Sequence, residues 1–153
     1  MMLLISFLFY SFASPSLCKT GERVIFSCQS KGKKQISVCS SPELGPEKGS
    51  LFYRFGKVAK VEMQFPKSKD RGTQDFRWER YTRPAPMATT ILSLSFTNAD
   101  WTYTVFSHSH CEEDNPCEES SGVRLEHKTK SVEVKCIKAP TVNKLWDLEG
   151  LIR

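Results

Sequence analysis

The sequence predicts an all-β fold, a small antiparallel sandwich or barrel-like sheet of about eight strands, stapled by disulfides and ending in a short helical turn. Three observations predict it. Apolar side chains recur with a period of two, and no stretch of the body keeps a 3.6-residue stripe for three turns. The alternating runs come in pairs around short turn-like segments, as antiparallel hairpins do. Six cysteines, an even count, are spread over 153 residues, the length of one domain.

Taken in order, residues 22–28 and 35–39 flank Ser30-Lys31-Gly32-Lys33 and read as a first hairpin. Residues 50–55 and 57–65 flank Gly56 and read as a second. Between them and the next pair lies the polar, proline-bounded stretch 66–86, in which 75–81 predicts an additional strand. Residues 89–96 and 101–107 flank Thr97-Asn98-Ala99-Asp100, whose Asn and Asp side chains satisfy turn backbone groups. Here Leu92, Leu94 and Phe96 share a face, as do Trp101, Tyr103 and Val105. Residues 122–127 and 131–136 pair around 128–130, setting Val123 and Leu125 against Val132 and Val134. One open sheet would leave an apolar face uncovered, hence a sandwich or barrel. After Pro140, Asn143 is placed to cap a helical turn through Leu145, Trp146 and Leu148 before Gly150, packing the tail on the body.

Residues 3–13 form an uncharged apolar run too short to span a bilayer, followed by the small residues Ser14 and Ser16. This predicts a signal peptide over residues 1–16 and a single exported domain over 17–153, in the periplasm or outside the cell, with no transmembrane segment after signal removal. Leu17 before Cys18 argues against lipid attachment, which wants a small residue there. In such a compartment Cys18, Cys28, Cys39, Cys111, Cys117 and Cys136 are disulfide candidates, with the pairing open. Cys111 and Cys117 enclose a short loop and are expected to bridge locally. Cys28 with Cys39 is a second candidate, although a simple hairpin sets Cys28 opposite Gln35 and Cys39 opposite Val24. Cys136 is expected to tie the last strand to the first hairpin. No two cysteines have the spacing of a zinc knuckle.

Only His108, His110 and His127 are present, which leaves few ways to build a catalytic triad and argues against hydrolase chemistry. His108 and His110 alternate on a strand and so present two imidazoles to one side, a candidate metal pair. Glu112, Glu113, Asp114, Glu118 and Glu119 place five carboxylates in eight positions, without the spacing of a calcium loop. Basic charge lies elsewhere: residues 19–83 carry a net +8 and the rest of the chain −3. Within that basic half, Phe76, Arg77, Trp78, Arg80 and Tyr81 interleave aromatics with arginines, the side chains enriched at protein-binding hot spots. Cationic and aromatic groups also hold single-stranded nucleic acid, but export argues against such a partner.

Phe26-Ser27-Cys28, Ser37-Val38-Cys39, Tyr53-Arg54-Phe55-Gly56, Tyr103-Thr104-Val105-Phe106-Ser107, Gly122-Val123-Arg124 and Cys136 together resemble the layout of a group of small exported bacterial proteins without an assigned activity. The resemblance covers about residues 18–136. It implies a periplasmic setting and a β-rich body, and it transfers no catalytic residue; residues 111–119 depart from the pattern. The size, export signal and disulfides are also similar in class to those of periplasmic lysozyme inhibitors. The leading expectation is a non-catalytic binding protein, an inhibitor or immunity factor against a cell-wall-active enzyme. Its contact residues would be Phe76, Arg77, Trp78, Arg80 and Tyr81 together with Glu112, Glu113, Asp114, Glu118 and Glu119, and no cofactor is expected. The alternatives are a metal-binding protein or metal-dependent enzyme using His108, His110 and the acidic loop, and a structural envelope protein.

Overall fold

The computed structural model describes residues 15–152, so the signal-peptide expectation falls almost wholly outside the described residues. Strands make up 59% of the chain and helical turns 7%. The first sheet holds β1 (Arg23–Ser30), β2 (Lys34–Ser40), β3 (Leu51–Lys57) and β4 (Lys60–Phe65), with the two-residue β10 (Val142–Asn143) on the free side of β1. The second holds β5 (Phe76–Arg83), β6 (Met87–Asn98), β7 (Trp101–Glu112), β8 (Glu118–His127) and β9 (Lys130–Lys135) in chain order. All pairings are antiparallel.

The inner faces are those the alternation marks. Phe26, Ile36, Val38, Leu51 and Tyr53 of the first sheet share one buried cluster with Leu92, Leu94, Phe96, Val105 and Val123 of the second. Aromatic rings stitch the layers: Phe65 stacks on Phe96 at 4.3 Å, and Tyr53 lies 5.2 Å from Phe96 and 6.0 Å from Tyr103. Such pairs add about 0.5–1.5 kcal/mol each beyond area burial. Burial among these rings also pushes the Tyr53 hydroxyl pKa upward, with a smaller contribution from Tyr103.

The strands of the two sheets run across one another. The C-terminal end of β1 is tied to the segment after β9 by the Cys28–Cys136 disulfide and the Ser30↔Cys136 bridge. Past its N-terminal end, the chain leaving β10 reaches β5, where Leu145 accepts a hydrogen bond from Trp78. Because β5 and β9 are opposite edges of the second sheet, β1 spans its width, as in an orthogonal sandwich.

A Cys28–Cys39 bridge does not form. A register shift between Val24 and Phe26 slips β1 by one residue, so Cys28 meets Ile36 while Cys39 keeps Val24. Cys28 therefore joins Phe26 in the core, whereas Cys39 lies on the other face and bonds Cys18. That outer face is covered by residues 15–22. Leu17 N donates to Ser37 Oγ, Ser27 Oγ donates to the Pro15 carbonyl, and the Arg54 guanidinium, only 1% exposed, donates to both oxygens of Glu22 at 2.5 and 2.9 Å. Arg54 Nε also donates to Gln64 Oε1, and its guanidinium lies over the Phe52 ring. Burial works against charge on Glu22, but the Arg54 hydrogen bond, the Lys19 amide and the nearby positive charges outweigh it and hold the carboxyl below its ordinary range.

Two further local expectations are corrected. Gly56 is not the turn of the second hairpin: it sits inside β3 at an irregular step in the register, where φ is +144° and a Cβ would approach the Lys60 carbonyl oxygen to 2.5 Å. Asn143 does not cap the 3-10 turn Leu145–Leu148; it extends the first sheet and donates from Nδ2 to Ser107 Oγ at 2.8 Å. Leu145 and Leu148 are buried as the apolar pattern predicts, each leucine stabilising by about 1.5–3 kcal/mol, and Ile152 is buried with them, but Trp146, expected to pack beside them, stays 46% exposed. Among the described residues no helix is long and apolar enough to cross a membrane, and the three disulfides are compatible with an oxidising compartment.

Candidate functional site

The long strands β7 and β8 carry the acidic segment at their joining tip. Asn143 on the edge of the first sheet meets Ser107, and β7 continues from His108 to Glu112 beyond that contact. The ladder ends at His110↔Glu118, after which Cys111 and Cys117 close the loop with a disulfide. Inside it Asp114 takes φ +68°, a left-handed conformation that Asp tolerates, and Asn115 N donates to the Glu112 carbonyl. The sequence thus makes the turn with Asp-Asn-Pro chemistry and locks it with a covalent bridge.

Every carboxylate of the tip faces solvent, Glu119 included. Among the described residues no cation lies within 4.0 Å of Glu113, Asp114, Glu118 or Glu119; Glu112 stands 3.6 Å from His110 Nε2. His110 shares a 2.8 Å hydrogen bond between Nδ1 and the Thr89 hydroxyl. The His108 and His110 rings lie nearly parallel with centroids 6.4 Å apart, on the same side of β7 as Glu112, as alternation requires. They do not converge with a third ligand. Among the described residues the one set of three ligand groups within 4.8 Å is Cys18, Glu22 and Cys39, whose sulfurs are bonded to each other.

The arginine–aromatic segment is the strand β5, and its two faces have different employment. Phe76 is in the core, Trp78 Nε1 donates to the Leu145 carbonyl at 2.8 Å, and Arg80 pairs with Glu149 at 2.7 Å while lying over the Trp146 ring. These inner-face groups hold the C-terminal tail. On the other face Arg77 pairs with Glu79 at 2.9 Å, and Tyr81 is exposed. The register runs Tyr81↔Ile91↔His108↔Ser120 and Arg83↔Thr89↔His110↔Glu118, so Tyr81 lies two strands, roughly 10 Å, from His108. The structure therefore joins Tyr81, His108, His110 and the acidic tip on one face and separates Phe76, Trp78 and Arg80 from them.

Sequence reasoning missed what lies beside that face. A hollow of 360 Å³ is lined by Ile91, Thr104, Phe106, His108 and Arg124, with Glu133 bonding Arg124 at 3.0 Å and Arg124 over the Phe106 ring. Phe106 stands two residues before His108, so alternation was the available signal; Arg124 and Glu133 are brought together by β8–β9 pairing alone. A smaller cleft of 260 Å³ opens between β7–β8 and residues 136–140, lined by Ser107, Ser109, Glu119 and Ser121.

These features define a two-sheet, three-disulfide sandwich bearing an acidic, covalently closed hairpin tip. Set against known protein families, curated proteins and solved structures, the chain matches none.

Proposed function

We propose that the protein is a non-catalytic exported binding protein that presents its acidic hairpin tip to a basic cleft on a protein partner, acting as an inhibitor or immunity factor against a cell-wall-active enzyme. One observation carries the reading: the Cys111–Cys117 bridge closes a loop bearing Glu113 and Asp114, and neither these nor Glu118 and Glu119, which follow it at the start of β8, have a neutralising cation among the described residues. Like charges held close together attract a cationic surface from a distance. A loop already fixed by a disulfide loses little conformational freedom on docking, which favours affinity without a large contact area. Tyr81, Ile91 and His108 on the adjoining face supply the apolar and aromatic contacts next to the tip.

The test is affinity capture from envelope and culture-fluid extracts, in parallel with the full-length protein and with E112Q/E113Q/D114N. The expected result is a cell-wall hydrolase recovered only by the unmodified protein, with hydrolase activity falling as the protein is titrated in. Equal recovery by both, or recovery without loss of hydrolase activity, overturns the proposal.

A further inference from the structure

The first sheet ends in a concentration of lysines unrelated to the acidic tip. The β1–β2 turn carries Lys31 and Lys33, and the β3–β4 turn lies between Lys57 and Lys60. The pairs Ser30↔Lys34 and Gln35↔Gly56 place both turns at the same end of the sheet, with Lys34 between them. Ile137 N donates to the Gln29 carbonyl and Cys136 bridges Ser30, which adds Lys135 and Lys138 to this end. Among the described residues no carboxylate lies within 4.0 Å of Lys31, Lys33, Lys57, Lys60 or Lys138; Lys34 meets Glu62 and Lys135 meets Glu133.

Exposed apolar side chains lie at the same end of the sheet, Val58 and Val61 on the β3–β4 side and Ile137 across the sheet beside β1. Val58, between Lys57 and Lys60 at the turn, is 63% exposed, Val61 is 44% exposed and Ile137 is 51% exposed. A lysine patch alone fits any polyanion, but one with aliphatic groups at its projecting tip fits an anionic surface that also has an apolar interior. Among the described residues the aromatic ring at this end, Phe55, lies half-buried beneath Lys34, with the Nζ 5.3 Å from its centroid, and so offers no face for a stacked base.

We infer that this lysine-rich end docks on an anionic lipid bilayer, with Val58 entering the headgroup boundary while Lys31, Lys33, Lys57 and Lys60 meet lipid phosphates. Basic groups near an anionic bilayer each strengthen binding about fivefold, and an apolar side chain seated in the interface adds to this.

The experiment is flotation of the full chain with vesicles of phosphatidylcholine alone and of phosphatidylcholine mixed with phosphatidylglycerol. The unmodified protein is expected to float only with the anionic vesicles and to be released by salt. K31Q/K33Q/K57Q/K60Q is expected to bind them at least about a hundredfold more weakly, and V58S about tenfold more weakly. Near-UV circular dichroism and intact disulfide mass establish that both variants are folded, and the salt dependence of the unmodified protein is read independently of them. Binding carried by the apolar run at residues 3–13 would be equal on both vesicles and in all variants. That result overturns the inference, as does full displacement by dextran sulfate with V58S binding like the unmodified protein, which would make a soluble polyanion the ligand.

Discussion

Trp78 donates its indole N–H to the carbonyl of Leu145 at 2.8 Å, across 67 residues of sequence. With Arg80 on Glu149 and over Trp146, it makes β5 the strand that fastens the C-terminal tail to the second sheet. W78F keeps a smaller aromatic ring and leaves the carbonyl without its donor, and the lost hydrogen bond and packing together cost about 1–3 kcal/mol. The half-exposed Arg80–Glu149 pair contributes less, so R80A should cost under about 1 kcal/mol. Urea unfolding measures both, and limited proteolysis with mass analysis should reveal earlier cleavage within residues 144–152 in W78F. A W78F protein as stable and as resistant as the unmodified one would mean that the indole hydrogen bond does not fasten the tail, leaving that to the buried leucines and Arg80.

The Arg54–Glu22 pair predicts an asymmetry. E22Q leaves a guanidinium that is 1% exposed without its counter-charge, at a cost of about 3–5 kcal/mol, whereas R54M leaves a carboxylate at the sheet surface that water can reach, costing about 2 kcal/mol. The folded pKa of Glu22 lies below its unfolded value. Its contribution is therefore complete above the ordinary carboxylate pKa of about 4.3 and is lost as the pH falls through the folded value. The stability gap between the unmodified protein and E22Q should accordingly narrow on going from neutral pH to about pH 3. Equal costs for the two substitutions, or a gap independent of pH, would remove the ion pair as the clamp on residues 15–22.

How far the sequence discloses this molecule depends on whether the signal is local. Alternation alone finds the four hairpins and the faces of Leu92, Leu94, Phe96, Val123 and Leu125, because each strand writes its own pattern. It fails at Val142–Asn143, where two residues become a strand only because β1 offers a free edge. Gly56 reads as a turn because glycine marks both turns and close backbone approaches, and only the Lys60 carbonyl decides between them. The Cys28–Cys39 expectation fails on distance, which a simple hairpin register already disfavours; the slip at Val24/Phe26, which also sets the two on opposite faces, leaves no trace in residue types. For the site, the acidic tip and the parallel His108 and His110 are legible from spacing. The diversion of Trp78 and Arg80 to the tail is not, since their partners lie far along the chain.

The disulfides should divide by role. Cys28–Cys136 closes a sequence separation of 108 between the two sheets, so C28A/C136A should cost about 3–5 kcal/mol. Cys111–Cys117 closes a separation of 6 at a solvent-exposed tip, so C111S/C117S should cost no more than about 2 kcal/mol while leaving the sandwich intact. Melting temperatures of the two double variants test the order; a larger loss from the tip bridge would mean that the hairpin supports the core.

Charge at the tip should govern the speed of recognition more than the lifetime of the complex. Glu112, Glu113 and Asp114 lie at a turn, exposed to solvent, so E112Q/E113Q/D114N should leave the melting temperature within about 2 °C of the unmodified protein. With a captured partner, the same substitutions should lower the association rate constant about tenfold at low salt and change dissociation little. Raising the ionic strength to about 0.5 M shortens the screening length to a few ångströms, and the two proteins should then associate at similar rates. Stopped-flow association across a salt series reads this directly. A tenfold difference that survives high salt would place these carboxylates in short-range contacts, whereas equal rates at every salt concentration would take the hairpin tip out of the interface.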